Sequence, residues 1–213
     1  MPVRRFWWVT AAVLGAWALH NAFLLPLEEA YWPAAAQAPL QVLLRAVFWL
    51  VPVALYLGAS DPRPALEALG LSTPVERRGW PAAALVAAAY LALAAALAGS
   101  GGGTRAASAW PGVAAWFMIT LLRAALEEVL MRGFVLRQQL RWSGAVRAQA
   151  VTAALFAAMH APGWLAQGVP APQVAFSLAF LLVQGAALGY LAWRTGSLLP
   201  SIAVHTANNL LAG

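Results

Sequence analysis

Long apolar runs recur along the whole chain, and they limit its possible folds more than any other feature. Of its 213 residues, 62% are hydrophobic and 9% are charged, and the mean hydropathy is +0.72. Ordinary soluble domains carry about a quarter of charged residues, whereas a helix that crosses a bilayer needs about 20 mostly apolar residues. The composition therefore predicts an all-α fold, a polytopic bundle of transmembrane helices.

The apolar runs predict about seven membrane spans, within a range of six to eight. Little of the chain remains for a separate soluble domain, so residues 1–213 are expected to form a single integral membrane domain. The first run is interpreted as a retained span rather than a cleaved signal peptide. Stretches rich in Pro, Gly and charge at 59–79 and 99–103 are expected to be loops. The expected spans are residues 6–25, 40–57, 80–98, 111–126, 148–160, 174–193 and 198–211.

Arginine placement predicts the orientation of the chain in the membrane. Arginines concentrate at residues 4–5, 63–78, 132–147 and 194, which fall on one side of the expected bundle. By the positive-inside rule this side is the cytoplasm, so the amino terminus is expected to be cytoplasmic. All 13 basic residues are arginine, which suggests GC-rich coding and a bacterial cytoplasmic membrane.

Charge and cysteine content exclude several classes of function. The net charge of +6 is spread over loops, whereas a nucleic-acid partner requires basic side chains clustered on one face. Contact with the lipid bilayer and its anionic headgroups is the expected role of these arginines. The chain has no cysteine, which excludes disulfides, thiolate zinc sites and a cysteine nucleophile.

Three short polar clusters interrupt the apolar runs in the second half of the chain. The companion residues of each cluster are four or five positions apart, so a helix presents them on one side. An ionisable group inside a bilayer is costly, and it is by default a functional candidate or part of a satisfied pair. The clusters are Glu127 and Glu128 with Arg132, Phe156 with His160, and His205 with Asn209.

The two consecutive glutamates are expected to have different roles, because neighbouring residues point about 100° apart on a helix. Glu128 can pair with Arg132 one turn away. That pairing leaves Glu127 to face the bundle as a candidate general base. For this cluster alone, an ion pair that merely ends the span is an equally good interpretation.

His205 and Asn209 share one face of the last apolar run, and both carry donors suited to a developing oxyanion. Hydrogen bonding between helices is the alternative for this pair, and His160 by itself is also typical of a structural histidine. The joint occurrence of all three clusters favours a function.

Gly185 and Gly189 form a small-x-x-x-small pair in the sixth expected span. Such pairs let two helices approach closely. Packing against another helix of the same chain is expected here, rather than dimerisation.

The clusters contain three motifs in order: EExxxR at residues 127–132, FxxxH at 156–160 and HxxxN at 205–209. With them the chain resembles the CAAX-protease and bacteriocin-processing family of intramembrane proteases, also called the Abi family. The resemblance covers a motif-bearing core at about 110–213. The first 110 residues match only as generic membrane helices.

The resemblance implies that Glu127, assisted by His160, activates a water that attacks a peptide carbonyl. It also implies that His205 and Asn209 stabilise the oxyanion, in a site that opens toward the cytoplasm. Glu128, Arg132 and Phe156 are then supporting residues. Because His160 lies far from the cytoplasmic end of its expected span, that span is expected to be short, tilted or preceded by a membrane-embedded turn.

Two alternatives to this mechanism stay open. Glu127, His160 and His205 also form the ligand set of many hydrolytic zinc sites, although the chain has no HExxH motif and metal-independent catalysis without a cofactor is preferred. In the other alternative the protein is a non-catalytic immunity factor, scaffold or small transporter. As a protease, it would take a prenylated tail, a leader-bearing peptide or another membrane-associated protein as substrate.

Overall fold

The described part of the chain folds into helices, most of which are joined by short connections. A computed structural model describes residues 2–76, 79–99 and 113–212, and within them it contains no β-strand. The all-α prediction is therefore confirmed, whereas the expected loop at 100–103 and the first two residues of the fourth expected span lie outside the described residues. The α-helices are α1 (Pro2–Leu19), α2 (Leu25–Tyr31), α3 (Ala34–Arg45), α4 (Val51–Ser60), α5 (Ala65–Ala68), α6 (Trp80–Gly99), α7 (Val113–Glu128), α8 (Arg137–Leu140), α9 (Ala145–Ala158), α10 (Ala161–Ala166), α11 (Ala171–Thr195) and α12 (Leu199–Ala212).

Within residues 2–76, 79–99 and 113–212, three π-helical segments join consecutive α-helices without a break in the chain direction. Such turns are rare and occur frequently at functional sites. Each one adjoins an ionisable side chain: the first begins at His20, the second follows Arg45 and the third follows Glu128. The segments are His20–Leu24, Ala46–Leu50 and Val129–Leu136.

Among the described residues, four helical stretches are long and apolar enough to cross a membrane, and they coincide with four of the expected spans. Of the helices at the other three expected positions, α9 and α12 have 14 residues each, and the described part of α7 continues into Val129–Leu136. A helix of 14 residues is about 21 Å long, shorter than the roughly 30 Å hydrocarbon core of a bilayer. The count of seven spans therefore stays a prediction. The four stretches are Val3–Glu28, Ala36–Ser60, Trp80–Leu97 and Ala171–Thr195.

Small residues allow the long helix α11 to lie close to the short helix α9. A Cβ atom added to Gly185 would lie 2.9 Å from Ala153 Cα on α9, a distance that real Cβ atoms do not adopt. One added to Gly189 would lie 2.9 Å from the side-chain oxygen of Gln149 on the same helix. The glycine pair therefore packs within the chain, as expected from the sequence.

The π-helical segment after Glu128 lies at the centre of the bundle. All eight of its residues are buried, and Phe134 packs against Phe6 of α1 and Tyr56 of α4 with ring centroids 5.4 and 5.3 Å apart. A Cβ atom on Gly133 would lie 3.0 Å from the Leu69 carbonyl oxygen, so only glycine fits there without displacement. This packing places the end of α7, with both glutamates, inside the protein.

Candidate active site

Glu128 is fully buried and paired on two sides. Its Oε1 atom accepts hydrogen bonds from Arg132 Nη1 at 3.0 Å and from His205 Nδ1 at 2.8 Å. Arg132, also fully buried, donates through Nη2 to the Gly185 carbonyl oxygen at 3.1 Å. The expected pair of Glu128 and Arg132 is therefore present, and it ties α7 to α11 and α12.

Glu127 points to a different side and uses its two oxygens differently. Oε1 accepts a hydrogen bond from Arg45 Nη1 at 2.6 Å. Oε2 faces His160 Nε2 at 3.8 Å and His205 Nε2 at 3.7 Å. These two distances exceed hydrogen-bond length, and a water within reach of both atoms can bridge such a separation. The structure thus brings Glu127, His160 and His205 to one place.

His160 lies in the turn between α9, which ends at Ala158, and α10, which begins at Ala161. Its Nδ1 atom lies 2.8 Å from the Phe156 carbonyl oxygen. A carbonyl oxygen only accepts, so Nδ1 carries the proton, and Nε2 presents a lone pair toward Glu127 when the ring is neutral. The 14-residue helix α9 agrees with the expected short span, whereas the turn follows this helix and does not precede it.

His205 is oriented in a similar way from α12. Its Nδ1 atom donates to Glu128, which leaves Nε2 toward Glu127. Nε2 donates a hydrogen bond only when the ring carries two protons. The hydrogen-bond role expected for His205 therefore requires the imidazolium form, a condition that the sequence did not reveal.

Phe156 is a buried aromatic support for the charged groups around it. Its ring contacts the rings of His160 and His205 edge-on, with centroids 5.1 and 5.8 Å apart. The guanidinium carbon of Arg132 lies 4.4 Å from the centre of the same ring, within the range of a cation–π contact. Phe156 thereby holds three of the polar side chains in place.

Asn209 stands apart from this group. Among the described residues no hydrogen bond joins it to Glu127, His160 or His205, although it lies one turn from His205 on the same face of α12. Its Oδ1 atom accepts from Asn208 Nδ2 at 3.3 Å, and Asn208 Oδ1 accepts from the Tyr90 hydroxyl at 2.8 Å. This chain of amides leaves the Asn209 amino group available as a donor.

The sequence reasoning missed Arg45, Tyr90 and Asn208. For Arg45 a signal was present, because it is a charged residue inside the second expected span and must find a partner there. The partner comes from α7, 82 residues away, and no spacing rule within one helix predicts that contact. Tyr90 and Asn208 gave no such signal, since single polar residues in apolar helices are common.

Charge and exposure describe the surroundings of the site. Two carboxylates, Glu127 and Glu128, are matched by the guanidinium groups of Arg45 and Arg132, as buried charges require. The side chains of His160 and Arg45 are 25% and 16% exposed, against 9% for Glu127. The group is therefore accessible from the side of His160 and Arg45.

The described residues contain no cluster of three or more His, Cys, Asp or Glu side chains arranged to hold a metal ion. Elemental analysis and chelation test the alternative in which Glu127, His160 and His205 hold zinc.

A comparison with protein-family models finds a match over residues 108–211, to the family described as type II CAAX prenyl endopeptidase Rce1-like. The matched residues contain all three motifs. This finding confirms the resemblance to the CAAX proteases. No curated protein and no solved structure gives a significant match to the chain.

Proposed function

We propose, on the premise that residues 108–211 belong to the Rce1-like protease family, that this integral membrane protein is an endopeptidase. Its substrate is a membrane-associated protein or peptide, such as a prenylated tail or a leader-bearing peptide. The observation that carries the proposal is the position of Glu127 Oε2, which lies 3.7 and 3.8 Å from two imidazole nitrogens.

The first chemical step is the attack of a water held between Glu127 and His160. Glu127 Oε2 accepts one proton of this water, and His160 Nε2 accepts a hydrogen bond from the other. The water oxygen forms a bond to the peptide carbonyl carbon, and the carbonyl π electrons move onto the carbonyl oxygen. The oxyanion then re-forms the carbonyl double bond, the carbon–nitrogen bond breaks with its electron pair on nitrogen, and the proton taken by Glu127 passes to that nitrogen.

The second requirement is a donor for the oxyanion that forms. His205 Nε2, in the imidazolium form, and Asn209 Nδ2 supply these donors. Glu128 fixes the ring of His205 through Nδ1, and Arg132 fixes Glu128. In this scheme Glu128, Arg132 and Phe156 orient the reacting groups.

We place the protein in the bacterial cytoplasmic membrane, with a cytoplasmic amino terminus and an active site that opens to the cytoplasm. The arginine-rich residues 132–147 directly follow the two glutamates, and arginine-rich segments lie on the cytoplasmic side. About seven spans and one integral domain with its catalytic core at about 110–213 complete the proposal.

The test compares isosteric substitutions of two buried glutamates, each of which lies within 4 Å of a histidine. Peptides from host membranes with wild-type protein, Glu127→Gln and Glu28→Gln are compared by mass spectrometry. Glu127→Gln is expected to lower the yield of specific cleavage products at least about a thousandfold, within the range of a lost general base. Glu28, paired with His20 at 2.9 Å, lies outside the proposed mechanism, so Glu28→Gln should retain the products. Equal products from wild type and Glu127→Gln would refute water activation by Glu127.

The same comparison separates an enzyme from a non-catalytic membrane protein, which would tolerate Glu127→Gln. Metal dependence is decided by elemental analysis of the purified protein and by activity after chelation. Stoichiometric zinc whose removal reversibly stops cleavage would replace this mechanism by the zinc alternative.

A further inference from the structure

We infer that Arg45 is a positioning residue for Glu127, one that holds Oε1 so that Oε2 alone faces the reacting water. This inference rests on the proposed function. Arg45 is the last residue of α3, outside the residues 108–211 that match the protease family. The amino-terminal half of the chain would thus complete the active site.

The contact between Arg45 and Glu127 is short and directional. Arg45 Nη1 lies 2.6 Å from Glu127 Oε1, the length of a strong hydrogen bond between two charged groups. A carboxylate without such a partner turns about its last bond and presents either oxygen. With Oε1 held, Oε2 stays between the imidazoles of His160 and His205.

Aromatic side chains in turn fix the direction of Arg45. Its guanidinium carbon lies 4.7 Å from the ring centre of Trp17 and 5.6 Å from that of Trp49. Both rings are buried in the core, and Trp17 also stacks on His20 with centroids 4.8 Å apart. A planar guanidinium can stack and donate at the same time, whereas the point charge of lysine cannot reproduce both contacts.

The position of Arg45 predicts which kinetic constant it controls. It touches Glu127, so its loss misplaces the base. We therefore expect Arg45→Ala to lower kcat and to leave KM nearly unchanged. The expected fall in kcat is roughly tenfold to a hundredfold, similar to the effect of removing other groups that orient a reactive side chain through a hydrogen bond.

The chain offers a matched control in Arg123. This residue lies on α7 one turn before Glu127, and its Nη2 donates to Gln41 Oε1 on α3 at 2.8 Å. Arg123 and Arg45 therefore bridge the same two helices, one turn apart. Arg123→Ala removes one bridge without touching Glu127.

The experiment uses membrane vesicles from the host and follows the Glu127-dependent cleavage products over time. Arg45→Ala should slow product formation tenfold or more, and added methylguanidinium should restore part of the rate. Arg123→Ala should retain most of the rate and should not respond to methylguanidinium. The uncleaved precursor of one of these products then serves as the substrate. Assays of purified wild type and Arg45→Ala with this substrate give kcat and KM.

Several outcomes would overturn the inference. They are an unchanged rate in Arg45→Ala, an equal loss in Arg123→Ala, a loss confined to KM, or a loss that neither methylguanidinium nor Arg45→Lys reduces. Melting of each purified variant identifies a simple failure to fold, and Arg45→Lys, which keeps the charge, then serves as the second variant. Absence of any Glu127-dependent product from wild-type vesicles would instead refute the proposed function.

Discussion

Each half of the chain buries a glutamate against a histidine, but the two arrangements differ in what they leave free. In the amino-terminal half, His20 Nε2 contacts Glu28 Oε1 directly at 2.9 Å, across eight residues of one helical stretch. In the carboxyl-terminal half, Glu127 Oε2 lies 3.7 Å or more from two histidines that come from other helices. The direct pair leaves His20 Nδ1 and Glu28 Oε2 without a hydrogen-bond partner among the described residues, whereas Glu127 Oε2 lies at a separation from the two imidazole nitrogens that a water can bridge.

The two halves of the chain also differ in how much of their helices is buried. In the three candidate membrane spans of the amino-terminal half, the buried share of an apolar 18-residue window is 22%, 22% and 17%, against 33% in Ala171–Thr195. Every residue of Val129–Leu136 is buried. The candidate spans of the amino-terminal half are therefore less buried than Ala171–Thr195, although Arg45 of α3 reaches the polar group. Four predictions test this difference.

The largest effect is expected from Arg132→Ala in the carboxyl-terminal half. It leaves the charge of Glu128 buried without its guanidinium partner, which typically costs about 3–5 kcal/mol in the free energy of unfolding. His20→Ala in the amino-terminal half removes the partner of Glu28, and it should lower the free energy of unfolding by less than about 3 kcal/mol. Unfolding of both variants in detergent measures the two values. Equal losses would show that the halves are equally dependent on their buried pairs.

The next largest effect is expected from Asn209→Ala. If Asn209 donates to the oxyanion, cleavage should slow about a hundredfold, a loss of about 3 kcal/mol in transition-state stabilisation. The control is Asn21→Ala in the amino-terminal half, where the amide donates within its own helix to the Trp17 carbonyl oxygen at 2.8 Å. The initial rate of cleavage is measured for both. An unchanged rate in Asn209→Ala would assign this residue to packing.

A smaller effect is expected from a methyl group at a helix crossing. Gly185→Ala forces α11 away from the Ala153 backbone, 2.9 Å from the new Cβ, and overpacking of this kind costs about 1–3 kcal/mol. Gly15→Ala in α1 meets no atom within 4 Å and should stabilise that helix by up to about 1 kcal/mol. Melting temperatures of the two variants should move in opposite directions, and a fall in both would contradict this contrast.

The smallest effect is expected for Asp61. This residue follows α4, and its contact with Arg141 joins the two halves of the chain. Its carboxylate contacts Arg63 at 3.0 Å and Arg141 at 2.5 Å. The hydrogen bond from Arg63 is the main cause that lowers the pKa of Asp61 from 3.8 to about 2. A lowered folded-state pKa contributes stability above the ordinary value. We expect this stability to disappear as the pH falls from about 4 to about 2.

The contribution of Asp61 should stay below about 1 kcal/mol, because both arginines are partly exposed to solvent. Unfolding of wild type and Asp61→Asn is compared at neutral and acidic pH. The difference between them should shrink at low pH, and a difference that grows on acidification would contradict the assignment.

The sequence predicted those contacts that arise within one helix. The pairing of Glu128 with Arg132 and the shared face of His205 and Asn209 follow from the helical repeat alone. The apolar runs similarly predicted an all-α membrane protein, since a bilayer admits only long apolar helices at such composition. The number of spans was harder to predict, because a run of apolar residues marks a buried short helix and a membrane span alike.

The amino-acid sequence by itself determined the helical fold, the membrane setting and the identity of the polar residues in the three motifs. Only the tertiary structure decided that Arg45 holds one oxygen of Glu127, that His205 donates to Glu128, and that Tyr90 donates to Asn208. The physical reason is that the helical repeat fixes neighbours three or four residues apart. Contacts between residues 77 or 82 positions apart depend on how the helices pack.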